Sequence, residues 1–162
     1  MKSWNELVRR ERVAELGPPT ADDIAQRIHL ARLAAEESRI PELRPGRRFQ
    51  ILYEAAYRWC DIVLRSEGYR TRGEGHHETV FSSLAHFLGE DAARMARYLD
   101  RCRRPRHDFA YGSDFPPVND RQADELAKTV EGLDSLVPAW LSEKHPELVA
   151  PGSKGQDSTE HS

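Results

Sequence analysis

With 162 residues, the chain has room for one domain of ordinary size built around a single hydrophobic core. Hydrophobic residues make up 38% and charged residues 31%, a balance that suits a helical globule with solvated outer faces. A net charge of -3 excludes a globally basic nucleic-acid binder of the histone type, but a local basic stripe can coexist with an acidic remainder.

Ser3 precedes Glu6 by the capping-box spacing, which predicts a short helix running to about Leu16, where Gly17-Pro18-Pro19 stops it. Thr20 to Asp23 repeats the start signal. Ile24, Ile28, Ala31 and Ala35 then recur at helical spacing until Pro41 and Pro45-Gly46 break the pattern. The strongest helix spans Arg47 to Glu67, with Phe49, Leu52, Ala56, Trp59 or Cys60, and Val63 on its apolar stripe; Gly68 ends it. Gly68 to Gly75 reads as a loop. A helix from about His77 to Leu88 follows, then Gly89, then a helix from Glu90 to roughly Arg104, where Pro105 is expected to force a change of direction. After a loop through Tyr111 to Pro117, Asn119 and Gln122 start the last helix, which carries Leu126, Val130, Leu133, Val137 and Trp140.

Beyond about Val149 the sequence is Gly, Ser and charge, and a disordered tail over 150–162 is expected. The prediction is an all-α fold: one domain over 1–149, an antiparallel bundle of four to five main helices plus a short N-terminal one, with no strand. Cys60 and Cys102 are too few for a disulfide framework and read as buried thiols. No apolar run reaches the roughly 18 to 20 residues needed to cross a membrane. Met1 to Glu15 lacks the apolar stretch of a signal peptide, so a cytoplasmic location is expected.

The densest chemical anomaly is Arg94 to Tyr111, with six arginines against two aspartates. Arg94, Arg97, Arg101 and Arg104 are spaced 3, 4 and 3 and share one helical face. Two readings follow. A solvated face near a helix C-terminus, where the dipole favours cations, is the plain one. A phosphate-binding patch is the functional one, because guanidinium forks match phosphate oxygens and stay charged. Only Tyr98, Phe109 and Tyr111 interleave aromatic rings with these arginines, whereas Tyr53, Tyr57 and Trp59 read as core. A second cluster, Arg70 to His77, combines glycines with Arg70, Arg72, His76 and His77. His77 and Glu78 lack the second histidine of a zincin helix, so no metal or other cofactor is expected; one histidine is read as a helix cap and the other as solvated.

The helix order from Ala21 to Trp140, together with Arg106-His107-Asp108-Phe109-Ala110-Tyr111-Gly112, resembles the HEPN superfamily, small α-helical bundles of prokaryotic toxin–antitoxin and nucleotidyltransferase-linked systems. The resemblance implies metal-independent endoribonuclease chemistry by an arginine, an adjoining polar residue and a histidine four to six residues on. Arg106 matches the arginine and His107 the polar position; Tyr111 falls where the family has its histidine. A second placement runs from Arg101 to His107, with Cys102 at the polar position and Pro105 inside. A tyrosine of ordinary pKa near 10 is a poor general base at neutral pH, so His107 is the alternative proton carrier. The expected catalytic set is therefore Arg106, His107 and Tyr111, with Arg101, Arg103, Arg104, Arg70 and Arg72 binding phosphate or RNA. The resemblance also implies a homodimer, and an antitoxin or nucleotidyltransferase as protein partner. The competing expectation is a non-catalytic interaction module whose arginines pair with carboxylates such as Asp61, Glu67 or Asp100.

Overall fold

The computed structural model describes residues 1–111 and 118–149, with side chains described for 1–104 and 118–149. In chain order it contains α1 (Trp4–Arg9), β1 (Val13–Glu15), α2 (Ala21–Glu37), α3 (Pro45–Ser66), β2 (Tyr69–Thr71), α4 (His76–Leu88), α5 (Glu90–Tyr111), α6 (Asp120–Lys144) and a 3-10 turn at Pro146–Leu148. The expected tail lies outside the described residues.

α3 is the axis of the bundle. Its Phe49, Leu52, Ala55, Ala56, Trp59, Cys60, Ile62, Val63 and Leu64 are buried on nearly all sides, because α2, α4, α5 and α6 all pack against it. An apolar face this wide is stable only when several neighbours cover it, and these residues fix α3 at the centre, with Arg47 and Glu54 on its remaining exposed side. Start signals work as their chemistry requires. Thr20 Oγ1 accepts from the Asp23 amide at 3.1 Å, and Ser3 Oγ from the Glu6 amide at 3.2 Å. Asn119 and Gln122 form a reciprocal capping box, with both bonds at 2.9 Å.

Several expectations fail for identifiable reasons. The first helix stops at Arg9, not Leu16, and closes with a Schellman motif: the Arg12 amide bonds the Leu7 carbonyl at 2.9 Å and the Glu11 amide bonds Val8 at 3.0 Å. Glu11 adopts the left-handed φ of 55° that this closure demands. The chain thus freed runs extended, and Val13 to Glu15 pairs antiparallel with Thr71 to Tyr69. What reads locally as the end of a helix and a loop is therefore a small two-stranded sheet. Leu16 and Gly68 extend the ladder through a 2.7 Å bond, and Gly68, at φ +89°, lies where a Cβ would come within 3.5 Å of the Gly17 carbonyl carbon.

Neither histidine caps α4. Its N-cap is Gly75 in left-handed conformation, with His76 Nδ1 2.8 Å from Thr71 Oγ1 and His77 turned to Tyr53. Pro105 does not end α5, which continues to Tyr111. A proline removes one amide and so deprives the Arg101 carbonyl of its partner four residues on, but the rest of the ladder carries the helix forward. α6 tolerates Pro138 in the same way.

Candidate nucleic-acid interface

α4 and α5 form a hairpin closed at Gly89, whose φ of 91° suits a residue without a Cβ. Ala92, Ala93, Ala96, Leu99 and Cys102 face the core and leave the opposite side of α5 to solvent. Arg94, Arg97 and Arg101 stand there, exposed, within about 60° of one another around the helix axis. Among the described residues no carboxylate lies at ion-pairing distance from any of the three. The Arg101 guanidinium sits 5.9 Å from the centre of the Tyr98 ring, a cation–π contact that steadies its stem. Arg103 differs: its Nη2 is 3.8 Å from Asp100 Oδ1, so one expected phosphate binder has a partner of its own. Arg104 is exposed and also has a partner.

Beside this face opens a cleft of about 570 Å³ between the N-terminal segment, α4 and α5. Arg97 and Arg101 line one wall, and Ser82 and His86 the other. Nothing in the spacing of Lys2 to Trp4 marks this segment as the third wall. The Lys2 amide and ammonium both reach Glu78 Oε1, at 2.9 and 3.4 Å, and Ser82 Oγ donates to the Lys2 carbonyl at 3.1 Å. Trp4 then stacks on His86 with ring centres 5.5 Å apart and an interplanar angle of 17°. Burial pushes the Glu78 carboxyl up, but the bonds from Lys2 outweigh it and hold the group below its ordinary range. The cleft is not uniformly basic: Glu90 and Asp100 line it beside Lys2 and the two arginines.

The side chains of Arg106, His107 and Tyr111, the expected catalytic set, lie outside those described. Their backbone belongs to α5, and helical register sets position 106 about 140°, and position 111 about 80°, around the axis from position 101. Arg70 and Arg72 are exposed on or just past β2, whose main contacts are with β1, α3 and α4.

Both cysteines are free and buried. Burial pushes the Cys102 thiol up to about 11 despite its hydrogen bond with Tyr98, and drives the Cys60 thiol higher still. Burial, followed by Cys102, also raises the Tyr98 phenol, so the ring next to Arg101 stays neutral. Among the described residues no group of three or more His, Cys, Asp and Glu side chains is placed to hold a metal ion, and no described helix is long and apolar enough to cross a membrane. Compared with protein-family models, curated proteins and solved structures, the chain matches none.

Proposed function

We propose that this is a HEPN-like helical domain that engages RNA or a nucleotide through the arginine face of α5. The observation that supports the reading is the exposure of Arg94, Arg97 and Arg101 on one face without a carboxylate partner among the described residues. An unpaired guanidinium keeps its donors available, and a row of them at helical spacing meets successive phosphates of a flexible strand. Arg104 lies on the same helix, Arg70 and Arg72 form a separate exposed pair on or just past β2, and a two-fold dimer would double the α5 face. If the domain cleaves RNA, the expected chemistry is metal-independent, with His107 or Tyr111 moving protons and Arg106 stabilising charge on the phosphate.

A second reading, a non-catalytic module that docks on an antitoxin, nucleotidyltransferase or other acidic partner, is favoured by one observation. Arg103 already pairs with Asp100 within the chain, as a structural arginine does.

The two are separated by incubating purified protein with mixed cellular RNA in EDTA, beside Arg106→Ala, His107→Ala and the double variant Arg97→Ala/Arg101→Ala. Binding that the double variant loses supports the RNA reading. Cleavage that survives the chelator and disappears in both single variants supports catalysis. A folded protein that neither binds nor cleaves RNA overturns the proposal in favour of the interaction module.

A further inference from the structure

A second pocket, of about 250 Å³, lies between the first half of α3 and the first turn of α4. Arg47, Gln50, Tyr53, Glu54, Tyr57 and His77 line it. Four of them, at 47, 50, 54 and 57, repeat the 3, 4, 3 spacing of a single helical face. We propose that this pocket binds a small oxyanion, a carboxylate or phosphate monoester carried on a flat unsaturated body, and that it does so independently of the arginine face of α5.

Charge and donor orientation support an anion. Glu54, the one acidic lining residue, is neutralised by Arg58 on the next turn, with Nη2 to Oε1 at 3.0 Å. Arg47 has no carboxylate at ion-pairing distance among the described residues, so its guanidinium stays available to an anion in the pocket. Its Nη1 donates to Gln50 Oε1 at 2.6 Å. That bond occupies the acceptor end of the glutamine amide and leaves the NH₂ end to donate. Tyr57 makes no hydrogen bond among the described residues, and burial, then Asp61 and Cys60, push its phenol up to about 12. At neutral pH it therefore keeps its proton and serves as a donor. A guanidinium, an amide NH₂ and a phenol O–H thus border one small space, a donor set that suits an oxyanion.

The walls argue for a flat body. Tyr57 and His77 have ring centres 4.9 Å apart, and Tyr53 and His77 have theirs 5.5 Å apart. The Tyr53 hydroxyl and His77 Nδ1 are 2.8 Å apart, which fixes the imidazole in place. Phe81 packs edge-on behind both tyrosines. Tyr53 is buried, but Tyr57 and His77 are half-buried, and rings held this rigidly take up a planar group at little entropic cost. The volume falls below the roughly 300 Å³ at which drug-sized ligands begin, so the ligand is small.

The test is titration of the full chain with benzoate, phenyl phosphate and uncharged benzamide, read from the His77 imidazole resonances in long-range proton–nitrogen spectra. The expected result is a saturable shift with at least one anion and none with benzamide at the same concentration. A shift with benzoate alone identifies a carboxylate ligand; a shift with phenyl phosphate alone identifies a phosphate monoester. Arg47→Ala should weaken binding tenfold or more, Tyr57→Phe several-fold, and Arg97→Ala/Arg101→Ala not at all. Arg47 is exposed, so its loss leaves the fold intact. Equal response to benzamide, no response to either anion, or full binding by Arg47→Ala overturns the proposal. Loss of the shift in the α5 double variant overturns its independence from the arginine face.

Discussion

Removing Arg97 and Arg101 tests the α5 interface through a quantity that nonspecific stickiness does not imitate, the salt dependence of binding. Each phosphate neutralised on a single strand contributes about −0.7 to the slope of log K against log salt. If Arg94, Arg97 and Arg101 each hold one phosphate, the wild-type slope is about −2.1, and raising salt from about 50 to about 200 mM lowers affinity about 18-fold. The double alanine variant retains one contact, with a slope of about −0.7 and a fall of only about 3-fold over the same range. Fluorescence anisotropy of a labelled single-stranded oligonucleotide measures both slopes. Among the described residues neither arginine pairs with a carboxylate and Arg101 alone of the two makes a ring contact, so unfolding free energy should stay within about 1 kcal/mol of wild type. An unchanged slope in a folded double variant refutes the assignment, whatever the absolute affinity.

Three further outcomes concern the scaffold. Glu11→Gly relieves a left-handed backbone at a non-glycine residue and should stabilise the chain by about 0.5 to 1 kcal/mol in urea unfolding, unless the Schellman closure of α1 is wrong. Gly132→Ala, inside α6, gains up to about 1 kcal/mol of helix propensity. The new methyl would stand 3.0 Å from Met95 Cε, the end of a flexible side chain, so a lower thermal midpoint would show that Met95 cannot yield. Glu78 has its folded pKa lowered by Lys2, so its contribution is present above the ordinary glutamate value of 4.5 and lost as pH falls through the folded value. Glu78→Gln should flatten stability against pH below that value; an acid limb identical to wild type would show that the Lys2–Glu78 bonds contribute nothing to it.

Helix number and the buried stripe of α3 were legible in the sequence because both depend on short-range periodicity. Phe49, Leu52, Ala56, Trp59, Cys60 and Val63 are all buried where their spacing places them. The errors occur where a partner distant in sequence decides. Val13 has no local reason to be a strand; Thr71, to which it pairs, supplies one. Lys2 becomes a cleft wall only because Glu78 holds it. Taken separately, Tyr57 reads as core and His77 as either a helix cap or a solvated side chain, and their shared pocket exists only once α3 and α4 are packed. Pro105 was over-weighted: a missing amide costs one bond, and a long helix absorbs that loss.

The arginines that bridge helices to carboxylates show why Arg94, Arg97 and Arg101 of α5 have none among the described residues. Arg27 of α2 reaches Asp61 of α3 at 3.0 Å, and Arg32 of α2 reaches Asp134 of α6 at 3.0 Å. Arg48 of α3 pairs with Asp124 of α6. Each of these pairs bridges two helices, so its geometry follows from packing, and each guanidinium is committed to the fold. Asp61 shows what such commitment involves: burial raises its carboxyl although Arg27 and Arg65 both pull it down. The outer side of α5 presents Arg94, Arg97 and Arg101 with no carboxylate at ion-pairing distance among the described residues. Helix packing supplied acidic partners to the inner arginines without supplying any to these three. Their charge is therefore left to solvent and to whatever anion the surface meets, and the salt slope counts how many of them an RNA strand engages.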